Sequence, residues 1–138
     1  MRGILFLIAA FMMFSDTEPV QAQSCAPSEF SGNWKNVRGE AHILASLEVV
    51  DTCDEKSSFG PVKVRAKELC HPRDCSWGWA AAFIRGDHLF AEFKTFIAVR
   101  RVTASKQGRR LKVIVETYYI TESREDLKAT HLLVRSAD

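Results

Sequence analysis

From residue 30 onward, apolar and polar residues alternate with a period of two, and turn-forming residues cut the alternation into short runs. That period marks strands with one buried and one wet face. The runs are Phe30 to Val37, His42 to Val50, Val62 to Leu69, Trp77 to Ile84, Leu89 to Thr95, Phe96 to Ala104, Leu111 to Ile120 and Leu127 to Arg135. The third is the cleanest, with Val62, Val64 and Ala66 set against Lys63, Arg65 and Lys67. In the second, Ile43, Ala45, Leu47 and Val49 oppose His42, Ser46 and Glu48; in the seventh, Leu111, Val113, Val115 and Tyr119 share a face. Arg85-Gly86-Asp87 and Lys106-Gln107-Gly108-Arg109 read as turns. No turn residue separates the fifth run from the sixth. The pattern predicts one all-β domain, and eight antiparallel strands with short connections lose their exposed edges by closing into an up-and-down barrel. A two-sheet sandwich satisfies the same alternation; the barrel is the preferred reading.

The N-terminus has a different character. Arg2 is followed by an unbroken apolar stretch from Ile4 to Phe14, a polar segment, and then Val20-Gln21-Ala22, with small residues where a leader peptidase needs them. The apolar stretch is shorter than the ~20 residues that span a bilayer. Residues 1–22 therefore read as a signal peptide and residues 23–138 as the barrel domain. Cys25 as a lipidated N-terminus fits poorly, because Ala22-Gln23-Ser24 lacks the residues a lipoprotein site prefers before the cysteine. The product is expected in the periplasm or outside the cell, with no transmembrane segment.

Composition narrows the partners. Lys and Arg number 19 against 17 Asp and Glu, a net charge of +2, too small an excess for a nucleic-acid arm. Apolar residues make up 46% of the chain, including nine Phe, which excludes a disordered tail. Lys63, Arg65, Lys67, Arg100, Arg101, Lys106, Arg109, Arg110 and Lys112 concentrate between the third and seventh runs. Such a cluster suits an anionic glycan, a lipid head group or an acidic protein surface. More often it is a solvated outer face.

An even number of cysteines in an exported chain reads as disulfides, and four allow three connectivities. Cys70 and Cys75 enclose only His71-Pro72-Arg73-Asp74, so pairing them is preferred, and Cys25 then falls to Cys53. Chain entropy assigns roughly 2 kcal/mol to the short loop and about 3.6 to the long one. Cys70, His71 and Cys75 could alternatively ligate zinc, but the cluster has no second half, and an oxidising compartment removes thiolates. No metal and no cofactor are expected.

Chemistry-bearing motifs are few. His42, His71, His88 and His131 are scattered, and no P-loop, zinc-protease, nucleophile-elbow or dinucleotide fingerprint occurs. No catalytic residue is assigned. His71, Arg73 and Asp74, held by the clamp around Pro72, form a candidate binding loop; the plainer reading is a turn in which Asp74 caps backbone N–H groups. Trp77 and Trp79 share a face by strict alternation, and Phe83 continues it. These three are the candidate barrel interior, either packed or lining a ligand cavity.

Gly32-Asn33-Trp34 in the first run is similar to the G-x-W signature of lipocalins and other calycin barrels. The resemblance implies that Gly32 and Trp34 close one end of the barrel and that Arg135, near the end of the last strand, packs across the indole. Gly32-Asn33-Trp34-Lys35-Asn36-Val37 together with Cys70-His71-Pro72-Arg73-Asp74-Cys75-Ser76-Trp77-Gly78 resembles small exported bacterial proteins with a G-x-W-x-N-V strand and a C-H-P-x-D-C-x-W-G segment. That resemblance implies fold and compartment rather than an activity. The expectation is a monomeric, non-enzymatic exported binding protein, taking a small apolar ligand in the barrel or a partner protein on its loops. The alternative is an inhibitor of a hydrolase, a protease or lysozyme, with the Cys70–Cys75 loop as wedge.

Overall fold

The computed structural model describes residues 26–38, 43–54 and 56–137. The expected leader, residues 1–22, and also Cys25 and His42 lie outside them. Eight strands follow in chain order: β1 Gly32–Asn36, β2 Leu44–Asp51, β3 Val62–Glu68, β4 Cys75–Arg85, β5 His88–Lys94, β6 Ala98–Gln107, β7 Arg110–Tyr119 and β8 Leu127–Arg135. Each pairs antiparallel with its sequence neighbours, and β1 also pairs with β8, so the sheet closes into a barrel and the sandwich alternative falls. No helix among the described residues is long and apolar enough to cross a membrane.

Alternation sets the inner face. Val62, Val64 and Ala66 of β3 and Leu111, Val113 and Val115 of β7 are all buried, as their period-two spacing requires. Two β-bulges break that rule elsewhere. In β2 the register against β3 shifts between Leu44 and Ser46, so Leu44 turns inward in place of Ile43 and Ala45. In β4 the register shifts opposite Arg65 and Lys67, at Gly78, whose φ of +86° suits a residue without Cβ. One extra residue inverts the faces beyond it. Trp77 stays inside, while Ala80 and Ala82 take over the inner face and Trp79 and Phe83 point outward. The expectation that all three aromatics share the interior is therefore corrected: Phe83 is 54% exposed, and Trp79 lies outside beneath Lys63 and Arg65, at 4.4 and 4.8 Å from its ring.

The connection missing from the sequence pattern is a turn built by a side chain. Thr95 N–H donates to Ala98 O at 3.0 Å, and Thr95 Oγ1 accepts from Ala98 N–H at 3.2 Å. β6 thus starts at Ala98, and Phe96, which would have opened the sixth run, sits at the turn's tip, 92% exposed.

Cys70 and Cys75 form a disulfide with Cα atoms 5.7 Å apart. Of the two bridges expected, this one is described. Cys53 is also disulfide-bonded, and its expected pairing with Cys25 falls outside the described residues.

Candidate ligand cavity

One end of the barrel is plugged. Trp34 is fully buried between its cross-strand neighbours Leu47 and Arg135, and its Nε1–H donates to Phe30 O at 2.8 Å. The Arg135 guanidinium and the Lys106 ammonium lie 4.4 and 4.6 Å from the indole centroid. Arg135 also donates to the carbonyls of Ser31 and Glu29. It passes so close to Gly32 that a Cβ there would collide with its Nη1.

The other end is open. Leu127, Ala129 and His131 of β8 stand opposite Thr117, Val115 and Val113 of β7, on the inner face. Yet Leu127 is 57% exposed, and Ala129 is exposed as well. Inward residues in solvent mean that the interior is not filled there. β1 contributes to this opening, because its pairing with β8 ends at Asn36 and Leu133 and, among the described residues, leaves Leu127 to Leu132 paired with β7 alone. The resulting cup measures about 710 Å³ and is walled by Leu44, Trp77, Val115, Leu127 and Ala129. That lies within the ~300–1,000 Å³ typical of small-ligand sites. Its rim carries Cys70, Cys75, Phe96, Ile97 and Arg124.

Polar groups gather on one side of the cup, at the register level of Thr117 and Leu127. Arg100 is 7% exposed and faces inward beside Ala98 and Val102, opposite Thr117. Its guanidinium lies 4.7 Å from the Trp77 ring, which packs edge-on against Phe93. Nη1–H donates to Thr95 Oγ1 at 3.4 Å, and Nη2 is 3.7 Å from Glu68 Oε2. The same Glu68 oxygen accepts the Trp77 Nε1–H at 3.1 Å. His131 completes the wall, and burial, reinforced by the charge of Arg38, pushes its pKa below the ordinary histidine value.

That shift predicts a pH effect of known sign. The unfolded imidazole takes up a proton near its ordinary pKa of about 6.5, and the folded one only at lower pH. Between the two values the unfolded state holds more protons, so stability falls as pH falls through that range. Thermal unfolding between about pH 7.5 and pH 5.5 should show a drop in Tm for the wild type and a smaller drop for His131→Gln. Parallel profiles would show that His131 is not the group responsible.

A second, wider cleft of about 890 Å³ lies where β4 and β5 part above their last pair, Ala82 and Ala91. It is lined from both sides of the wall, by Trp77 and Phe93 within and by Trp79, Phe83 and Phe90 without. It is an outer groove that runs into the wall, whereas the cup sits inside the barrel and holds the buried charges.

The sequence-predicted site residues divide accordingly. Trp77 lines the cup; Trp79 and Phe83 belong to the outer groove, where Phe83 stacks on Phe90 at 5.4 Å. His71, Arg73 and Asp74 project into solvent beyond the rim. Cys70 and Cys75 are bonded to each other and cannot serve as thiolate ligands. Among the described residues, no group of three His, Cys, Asp or Glu side chains is placed to hold a metal.

The basic cluster also splits. Arg65 and Arg101 hold cross-strand carboxylates on the outside, Glu48 at 2.9 Å and Glu92 at 3.1 Å, but Arg100 and Lys106 turn inward. Hydrogen bonds from Arg101 and then Lys94 hold the Glu92 carboxyl below its usual pKa. The inward pair was legible. Ala98, Val102 and Ala104 mark one face of the sixth run, and Arg100 occupies the apolar position between the first two, as Glu68 extends the Val62, Val64, Ala66 face of the third.

No protein-family model, curated protein or solved structure matches the chain. The class established here is a closed, eight-stranded antiparallel β-barrel with one plugged and one cupped end.

Proposed function

We propose that this protein is an exported, non-enzymatic binding protein of lipocalin or calycin type that holds a small, largely apolar ligand in the open end of its barrel. The observation that carries the reading is the exposure of Leu127 and Ala129 on the inner face, where a packed barrel would have buried them. Eight strands enclose an interior of a size that can either fill with side chains or hold one small ligand. Here the Trp34 end takes the first course and the cup takes the second. The leader-like residues 1–22 and the clamped Cys70–Cys75 loop support export. The wedge-inhibitor alternative rests on exposed loop side chains alone, whereas the cup supplies both volume and apolar wall.

Titration with Nile red, an uncharged dye whose emission rises and shifts to the blue in apolar surroundings, tests the reading. The wild type should bind the dye saturably. Ala129→Trp, which puts an indole into the cup without disturbing the plugged end, should raise the Kd at least about tenfold, or ~1.4 kcal/mol. Thr130→Trp, on the outer face opposite Ile114, should leave it unchanged. Equal dye binding in all three proteins would remove the cup as the site.

A further inference from the structure

We infer that the ligand of the cup is an amphiphile with a single carboxylate head, seated on Arg100 with its hydrocarbon tail along Leu44, Val115 and Ala129. The inference rests on the ligand-cavity reading above and adds a chemical class to it.

The starting point is how incompletely Arg100 is held. A guanidinium carries five N–H donors, and among the described residues Arg100 makes one side-chain hydrogen bond, the 3.4 Å contact to Thr95. Its nearest carboxylate oxygen, on Glu68, is 3.7 Å away, an ion pair beyond hydrogen-bond length, and that oxygen already accepts from Trp77. A buried charge is stabilised only when it is both paired and hydrogen-bonded. Among the described residues, this leaves Arg100 with donors to spare at the wall of a cavity it lines.

Orientation is settled in advance. Trp77 covers one face of the guanidinium and is itself braced by Phe93. Thr95, anchored through its backbone to Ala98, holds one edge. A planar fork fixed in this way matches a planar carboxylate through two parallel N–H···O bonds. Thr117, directly across the β6–β7 ladder, adds a hydroxyl at the same level.

Charge counting gives the same sign. Among the described residues, the titratable side chains lining the cup are Arg100, Arg124, Glu68, His131 and Tyr119. The lowered pKa keeps His131 neutral near neutral pH, so two guanidinium groups face one carboxylate. One anionic charge on the ligand balances that excess. A cationic head would meet Arg100 at close range in a poorly solvated site. An uncharged head could accept a hydrogen bond from the guanidinium but would leave its charge unbalanced. The apolar wall beside the charged cluster, where Val115 and Ala129 lie one register step nearer the plugged end, supplies the second half of an amphiphile's site.

Displacement of Nile red by three probes of equal chain length tests the inference: tetradecanoate, tetradecan-1-ol and tetradecyltrimethylammonium. In the wild type the carboxylate should displace the dye at least about tenfold more tightly than the alcohol, with the ammonium weakest. Arg100→Gln should weaken tetradecanoate about 10- to 100-fold, the loss expected for a charge-assisted pair, and change the alcohol by less than about threefold. Equal displacement by acid and alcohol in the wild type, or preference for the ammonium, overturns the carboxylate head while leaving the cavity reading in place. Failure of the wild type to bind either dye or probes overturns the cavity reading itself. If Arg100→Gln does not fold, the wild-type ranking of the three head groups decides the question alone.

Discussion

Trp34→Ala is expected to destabilise the barrel by about 3–5 kcal/mol, the range for deleting a fully buried large aromatic side chain. The magnitude follows from position. Trp34 has no exposed surface, donates its indole N–H to Phe30 O and is covered by both Arg135 and Lys106. Removing the ring opens a void at the end of the barrel where β1 must hold both β2 and β8 to close the sheet. It also strips two cations of the aromatic surface they cover. A small domain has a total stability of only ~5–15 kcal/mol, so urea unfolding should show a midpoint displaced by a large fraction of the whole transition. Trp34→Phe separates packing from hydrogen bonding. It keeps most of the volume and leaves Phe30 O without its indole donor, which adds ~1 kcal/mol for the missing bond to a modest volume loss. A Trp34→Ala midpoint near that of the wild type would show that the plugged end does not hold the barrel together.

The barrel was legible because period-two alternation is a direct image of the pleat. Val62, Val64 and Ala66 could face inward together only as a strand, and eight such runs with short turns leave closure as the natural way to remove two edges. Bulges were not legible, since they are precisely located only by the partner strand. Trp77 and Trp79 are two residues apart whether or not Gly78 bulges, and only the pairing of Arg65 with Trp79 and of Lys67 with Ser76 reveals the extra residue. Thr95 hid a turn for a related reason: its hydroxyl does there what glycine or proline usually does, at a position whose composition reads as continued strand.

The cup is a harder case. Its walls were in view as alternating residues, but whether an inner face is packed depends on how far β1 runs alongside β8, a property of register and not of either strand's composition. Leu127 is as apolar as Leu133, and one is in solvent while the other is fully buried. The polar cluster left a clearer trace. A lone arginine in phase with Ala98 and Val102 must either break the strand's alternation or carry a charge into the barrel, and the structure shows the second. Grouping Arg100 with the neighbouring outer-face cations hid that trace, because net charge ignores which way a residue points.

Gly32→Ala is the second substitution expected to act strongly on the plugged end, and it does so through backbone and contact together. Gly32 has φ of +121°, a conformation that residues with a Cβ rarely adopt, so alanine there carries ~1–3 kcal/mol of strain. The new methyl also meets Arg135 Nη1, which must move away from Ser31 O and Glu29 O and from its seat over Trp34. The two contributions can be separated. In Arg135→Ala the guanidinium is gone, so adding Gly32→Ala leaves only the strain. The double variant should therefore be less destabilised than the sum of the single ones, by the ~0.5–3 kcal/mol typical of residues in contact. Urea unfolding of the wild type and the three variants measures this difference. Strict additivity would mean that Gly32 serves the backbone alone and that Arg135 has room to avoid a methyl group. A coupling of the expected size would show that the glycine is there for the arginine: the first strand omits a side chain so that the last strand can lay its guanidinium across Trp34.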